Sequence, residues 1–289
     1  MTSPGERLRQ LLSGDAILAV PGCHDALGAL LIEEAGFPLV YMSGFSVAAS
    51  HGIPDIGILT MTDMVRQAEG IARATSLPVL VDADTGYGGV ANIAETVRAF
   101  ERAGVAGLHL EDQKLPKKCG AMAGKELVSD QEMAARLRTA LKARRSPDFL
   151  IVGRTDAVTL HGIEEAARRC KAMEAAGAEA VMVPSLASVE DIAAIRSAVS
   201  VPVLHTVAET VRPVLDLPTL EAAGVDMAIY PLSLVQILVK AQRELLRELK
   251  ERGTTLDRVP AMASFAEVNR LVGTERHAAF ETAINSGED

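Results

Sequence analysis

The chain has 289 residues, 48% of them hydrophobic, enough for one large domain or two small ones and ample to bury a core. Its formal net charge is −9, from 29 basic and 38 acidic residues, and it has no basic run or stripe, which excludes nucleic acid and anionic membrane as expected partners. Three widely separated cysteines, Cys23, Cys119 and Cys170, argue against a disulfide framework; with no apolar signal core at the start and no membrane-length apolar run, the expected setting is the cytoplasm.

In chain order, short apolar runs predict eight strands, near 17–20, 39–43, 79–83, 107–110, 149–153, 180–183, 201–205 and 226–230. Most are apolar throughout ("PVLVDAD", "DFLIVGRTD", "EAVMVPS"), as strands buried on both faces of a parallel sheet are. Segments of helical period lie between them, among them 92–103, 130–144, 163–175 and 234–250, with capping signatures at Ser129/Glu132 and Ser188/Asp191. One join recurs: "EEAGFPLVYM", "ERAGVAGLHL", "EAAGAEAVMV" and "EAAGVDMAIY" each run from a helix end through Ala-Gly into a strand. Gly36, Gly104, Gly177 and Gly224 suit a helix C′ position with positive φ. Eight alternations at this length predict a single α/β domain over 1–289, a (β/α)8 TIM barrel, with a doubly wound open sheet as the alternative. Residues from about 254 to 289 read as an added C-terminal helical extension suited to oligomer contacts.

In a barrel the chemistry sits at the C-terminal strand ends, and here those ends are polar. They carry Tyr41, Ser43 and Gly44 after strand two, Asp82, Asp84 and Gly86 after strand three, and His109, Glu111 and Asp112 after strand four. Arg154 and Asp156 follow strand five, and His205 and Thr206 strand seven. Asp82, Asp84 and Glu111 bring hard oxygen donors to one mouth, which favours Mg²⁺ or Mn²⁺ over Zn²⁺; alternatively Asp82 is structural and only Asp84 and Glu111 hold the metal. The glycines of "DTGYGG" would let substrate and metal approach the backbone. Such a cation could chelate a 2-oxo or 2-hydroxy acid and stabilise an enolate, while Arg154 either binds a carboxylate or pairs with Asp156 or Asp82.

Residues 112–128 form a long loop of the kind that closes over active sites. Lys117 and Lys118 directly precede Cys119 and would lower its thiol pKa, making Cys119 a proton donor or acceptor carried on a lid. Cys23, in a Pro-Gly turn, and Cys170, mid-helix, read as packing residues.

Taken in order, "YMSGFSVAASHGIPDIGILT", "DADTGYGG", "HLEDQKLPKKCG", "GRTDA" and "AIYPLS" resemble the isocitrate lyase/phosphoenolpyruvate mutase superfamily over roughly residues 10–280. The similarity is strongest to its short bacterial members: methylisocitrate lyase, dimethylmalate lyase and carboxyphosphonoenolpyruvate mutase-like enzymes. The resemblance implies a Mg²⁺-dependent barrel whose eighth helix is swapped between subunits, usually in a homotetrameric dimer of dimers. It implies that Ser43, Gly44 and Phe45 bind the pyruvyl carboxylate, that Asp55, Asp82, Asp84 and Glu111 organise the metal, and that Arg154 binds the oxo-acid end. Asp55 and His109 are counted with the substrate-binding residues. "KKCG" matches the gating loop of the C–C lyases, whose cysteine, here Cys119, protonates the departing carbanion.

Four positions depart from the methylisocitrate lyase pattern. Ala121 replaces a histidine, Pro184 a glutamate, Thr206 an asparagine and Gln236 an arginine, which argues against a tricarboxylate substrate because buried carboxylates need partners. The leading expectation is a lyase that cleaves a 2-hydroxy (di)carboxylic acid to pyruvate or a related 2-oxo acid. Cys119, Lys117, Tyr41 and Arg154 form its catalytic set, with Tyr41 as a base for the hydroxyl proton. The alternatives are an oxaloacetate decarboxylase or hydrolase, a phosphonomutase, and a non-catalytic 2-oxo acid binder.

Overall fold

A computed structural model of the chain describes residues 2–120, 122–209 and 212–286. Eight parallel strands close into one barrel in sequence order: β1 (Leu18–Cys23), β2 (Val40–Met42), β3 (Val79–Asp82), β4 (Gly107–Glu111), β5 (Leu150–Arg154), β6 (Ala180–Pro184), β7 (Val203–Thr206) and β8 (Met227–Tyr230). β8 pairs back onto β1, so the (β/α)8 expectation holds and the open sheet is excluded. Between the strands run α2 (Ala26–Glu34), α3 (Gly44–Ser50), α4 (Met61–Ala74), α5 (Val90–Arg102), α6 (Asp130–Ala143), α7 (Val158–His161), α8 (Ile163–Ala175), α9 (Val189–Ala198) and α10 (Leu217–Ala222), and α1 (Pro4–Leu12) precedes β1.

The local signals act as their chemistry requires. Ser129 and Ser188 accept hydrogen bonds from the amides of Glu132 and Asp191, satisfying first-turn donors of α6 and α9. The glycines that end four helices, Gly36, Gly104, Gly177 and Gly224, have φ of 82°, 86°, 103° and 93°.

Strand periodicity of two sorts the core into two shells. Val20, Leu39, Tyr41, Leu80, Val152, Met182, Leu204 and Ile229 pack inside the barrel, with Leu8 of α1 joining them. Their neighbours Val40, Val81, Leu108, Ile151, Val181 and Val203 face outward and pack against the helices with Phe100, Leu137 and Ile192.

The chain divides into a barrel unit, Met1–Val235, and a helical unit, Gln236–Asp289. The helix after β8, α11 (Ser233–Arg252), has one buried residue, Val235, so the helical unit starts within α11, earlier than the extension expected from about 254. A 3₁₀ turn (Leu256–Ala261), α12 (Phe265–Leu271) and α13 (Thr274–Ser286) complete it. Among the described residues no helix is long and apolar enough to cross a membrane.

Phe100 on α5 is fully buried in the outer shell. Replacing it with alanine removes a large side chain from a close-packed site; Phe100→Ala is expected to cost about 3–5 kcal/mol, read as a lower urea midpoint with unchanged slope.

Candidate active site

The inward phase of each strand, carried past the apolar interior, supplies the groups at the mouth. On β3, Leu80 is followed two residues later by Asp82; on β5, Leu150 and Val152 are followed by Arg154; on β2, Tyr41 is followed by Ser43. Register then sets Asp82 beside His109 and Glu111 beside Arg154. His205 and Asp112 lie on the opposite phase. His205, expected at the mouth, turns its ring to the Val183 carbonyl at 3.4 Å, and burial holds its pKa below the usual imidazole value. Asp112 accepts from the Thr155 hydroxyl at 2.7 Å, the Asp156 amide at 3.0 Å and Arg169 at 3.1 Å, and thereby fixes the turn beyond β5.

A cavity opens at this end of the barrel, lined by Tyr41, Ser43, Phe45, Cys119, Arg154 and Pro184 among others. Ser43 is the N-cap of α3 and accepts from the Ser46 amide at 3.3 Å; the Gly44 and Phe45 amides belong to the first turn, which has no intrahelical acceptors. Gly44 is required by close approach, since a Cβ there would stand 2.8 Å from Asp82 Oδ2. Gly86 is different. Its φ is 87° and a Cβ would stand 2.4 Å from Ile93 Cγ1, so this glycine of "DTGYGG" serves helix packing and not ligand approach.

Carboxylates dominate the mouth. Asp55, Asp82, Asp84, Glu111 and Asp156 are all buried, and they meet three cations, Lys117, Lys125 and Arg154. Arg154 donates through Nε and Nη2 to Asp156 at 3.0 and 3.2 Å, and its Nη2 also lies 3.2 Å from Glu111. The ion pair with Asp156, one of the two alternatives for this arginine, is therefore formed. Burial would raise the Asp82 carboxyl, but His109, Arg154 and Lys117 outweigh it and bring its pKa to about 2. Asp82 also accepts the Asp84 amide at 3.0 Å, which makes it a brace for the turn. Asp84 and Glu111 go the other way. Burial, opposed by Lys117 and reinforced by Asp82 and Asp55, lifts Asp84 to about 7, and burial lifts Glu111 well above the usual range.

Glu111 Oε1 is buried with no hydrogen-bond donor among the described residues. An excess of buried carboxylate oxygen with an orphaned acceptor fits a hard divalent cation, and Asp84 and Glu111 are the side chains short of positive charge. Among the described residues, no three His, Cys, Asp or Glu side chains already form a ligand cluster.

Lys117 is not where its place in the sequence suggests. Its ammonium is buried between Asp55 and Asp84, paired with both and 2.5 Å from Asp84, and these acids raise its pKa. It is a latch between the loop and the barrel, its ammonium paired with two buried carboxylates. Asp55, expected to contact substrate, lines the cavity and is also the other half of that latch. Cys119 is half-buried, lines the cavity, and its amide donates to the Asp55 carbonyl at 3.0 Å.

Two further residues hold the loop, neither visible from pattern. The Gln113 side-chain amide donates to the Lys118 carbonyl at 2.8 Å and accepts from the Lys118 amide at 2.9 Å. Lys125, buried, donates to the Gly120 carbonyl and lies 3.4 Å from Asp156. Backbone bonds from Lys114 to Glu126 and from Val128 to Asp112 close the loop's base as a hairpin. A signal for Lys125 exists only in hindsight: a lysine on a glycine-rich loop has no period to betray its burial.

His109 also changes role. His109 is fully buried, shares a 2.8 Å hydrogen bond with the Tyr41 hydroxyl and stacks on its ring, so it supports Tyr41 and is not among the residues lining the cavity. Burial, with Asp82 and Arg154 opposing one another, lowers its pKa to about 4, leaving it neutral at pH 7. Burial and the nearby acids hold the Tyr41 phenol well above its ordinary value. The raised value makes the phenol the resting form of Tyr41 and its phenolate a stronger base. Burial also lifts Cys23 and Cys170 to about 12, consistent with packing roles. Of the four departing positions, Pro184 and Thr206 line the cavity, Gln236 opens the helical unit, and Ala121 lies outside the described residues.

Removing the Gln113 amide strips two hydrogen bonds from the loop backbone. Gln113→Ala is expected to speed tryptic cleavage at Lys117 and Lys118 about tenfold, with the barrel's melting temperature nearly unchanged.

Comparison with known proteins agrees with this geometry. Residues 8–250 match the family described as phosphoenolpyruvate phosphomutase. The 2,3-dimethylmalate lyase of Eubacterium barkeri is 42% identical over 272 residues, covering 93% of this chain and 94% of that protein. The 2-methylisocitrate lyase of Halalkalibacterium halodurans is 38% identical, covering 96% and 93%. The structure of oxaloacetate acetylhydrolase in complex with 3,3-difluorooxalacetate superimposes with a TM-score of 0.92 at 33% identity, covering 100% of this chain and 98% of that one. The chain therefore belongs to the phosphoenolpyruvate mutase/isocitrate lyase superfamily.

Proposed function

We propose that this protein is a carbon–carbon lyase that cleaves a 2-hydroxy (di)carboxylic acid to pyruvate or a related 2-oxo acid, working in the cytoplasm with Mg²⁺, or Mn²⁺ in its place. One observation carries the reading: Cys119, on a latched loop, lines the same cavity as Ser43 and Arg154. A carboxylate-binding end and a proton donor facing one small space are what a retro-aldol cleavage needs, because the bond that breaks leaves a carbanion to be protonated. The lyase names of the sequence relatives point the same way.

Ser43 and the first-turn amides of α3 would hold the carboxylate of the pyruvyl half. Arg154, its Nε and Nη2 engaged by Asp156, would offer the oxo-acid end its Nη1, which lies 3.9 Å from Asp82. Asp84 and Glu111 would hold the cation, which when bound supplies Lewis-acid polarisation of the substrate oxygen. Tyr41, propped by His109, would take the substrate's hydroxyl proton, so that the proton lost from oxygen balances the one Cys119 gives to carbon. Cys119 delivers its proton to the departing carbon, and the latched loop keeps bulk water from competing for that carbanion.

The similarity to oxaloacetate acetylhydrolase favours a second reading, hydrolysis or decarboxylation of oxaloacetate, which uses the same carboxylate-binding end. Product release from 2-methylisocitrate, 2,3-dimethylmalate, citramalate and oxaloacetate, with Mg²⁺ and with excess EDTA and with pyruvate and oxalate both assayed, separates the two. EDTA-sensitive pyruvate from a hydroxy acid is expected; turnover of oxaloacetate alone, to pyruvate by decarboxylation or to oxalate and acetate by hydrolysis, would transfer the assignment to the second reading. Cys119→Ser is expected to lower turnover by about 10²-fold or more while Mn²⁺ affinity, followed by electron paramagnetic resonance, stays within twofold.

The oligomer inferred is a dimer of dimers in which the eighth helix of one copy covers the barrel of another. The barrel unit carries an apolar groove of about 440 Å³ lined by Leu31, Ile32, Ala35, Phe37, Tyr230 and Leu234, and α11 displays Ile237, Leu238, Val239, Leu246 and Leu249 to solvent. Leu31→Glu in the groove should shift the mass seen by light scattering from tetramer toward smaller species; an unchanged mass would remove this face from the interface.

A further inference from the structure

Past the end of β6, Ser185 has φ of 67°, in the left-handed region that serine seldom adopts and glycine would occupy without strain. It lines the cavity, is only half-buried, and among the described residues no hydrogen bond ties its hydroxyl elsewhere. It follows Pro184, which stands in register with Thr206 across the β6–β7 pair. A Cβ on Gly120 would lie 3.9 Å from Pro184 Cγ, so the end of β6 sits directly under the tip of the Cys119 loop.

Besides its charged groups the cavity lining holds apolar Pro184, Pro231 and Leu232, and Ser185 and Thr206 add two hydroxyls. Of the cations lining the cavity, Arg154 is paired with Asp156 and Glu111 and Lys117 with Asp55 and Asp84, and Lys118, beside Cys119 on the loop, lines it too. A substrate half seated here meets apolar surface, two hydroxyls and one lysine.

We propose that Ser185 is a specificity-determining residue whose hydroxyl hydrogen-bonds the departing half of the substrate, selecting a fragment with an alkyl body and a single carboxylate. The assignment of a departing half rests on the lyase reading above. Backbone strain clusters at functional sites, and here the strained residue brings one hydroxyl into the cavity that Cys119 also lines. With Thr206 it lines a cavity where a polycarboxylate fragment would need more charged partners than Lys118 alone offers.

Ser185→Ala removes the hydroxyl and keeps the strain, whereas Ser185→Gly removes both, so the pair separates ligand contact from backbone. Equilibrium affinity for 2,3-dimethylmalate and for pyruvate is measured by calorimetry with Mg²⁺ in a Cys119→Ser background, which prevents turnover, and pyruvate release is measured with Cys119 intact. Both variants are expected to weaken 2,3-dimethylmalate about tenfold and pyruvate less than twofold, with Ser185→Gly melting at or above the parent temperature. Unchanged 2,3-dimethylmalate affinity in both, an equal loss of pyruvate affinity, a loss in Ser185→Gly alone, or no binding of 2,3-dimethylmalate by the parent would each overturn the proposal. Ser185-dependent binding without pyruvate release would uphold Ser185 as a ligand contact and sink the lyase reading instead.

Discussion

Everything at this barrel mouth depends on keeping five buried carboxylates under a loop. Burial disfavours their charged forms, and Lys117, Lys125 and Arg154 offset only part of that cost. Two of the three cations come from the loop, so the acids and the loop are mutually dependent: the loop is held because the acids need its ammonium groups. What the lysines and arginine leave uncompensated falls on Asp84 and Glu111, where the raised pKa values record it. A divalent cation there would relieve the same deficit that Lys117 relieves in part.

Rigid and movable parts divide the labour. Ser43, Asp82, Arg154 and Pro184 stand at strand ends or caps, fixed by barrel register and by braces such as Asp112 and Asp82 itself. Cys119 comes with the loop. The hydrogen bond from its amide to the Asp55 carbonyl ties its placement to the same residue that holds Lys117. On the lyase reading, one end of the substrate would be read by strand ends and the other by the loop.

The barrel was legible in the sequence because its two strongest signals are local: continuous apolar strands and glycines that close helices with positive φ. The polar strand ends were legible as a group, and period-two parity correctly separates Asp82 and Arg154 from His205, although that parity has to be applied strand by strand to exclude the histidine. Lys117 misled because proximity in sequence says little about where a four-carbon stem places its charge; the acids that capture it lie 62 and 33 positions away. Gln113 and Lys125 were invisible for the same reason, since a loop has no repeating pattern from which burial can be inferred. The position of Tyr41 follows from strand parity, whereas its protonation follows from burial and from neighbours on three other strands, which no local pattern reports.

Asp156 is shared. Arg154 grips it from β5 and Lys125 reaches it from the loop, while Gly120, which Lys125 also holds, has no side chain because a Cβ would stand 2.9 Å from Arg154 Nη2. Any displacement of the loop would therefore change the electrostatic company of Arg154 as well, so that on the lyase reading loop position and carboxylate capture would be coupled through Asp156.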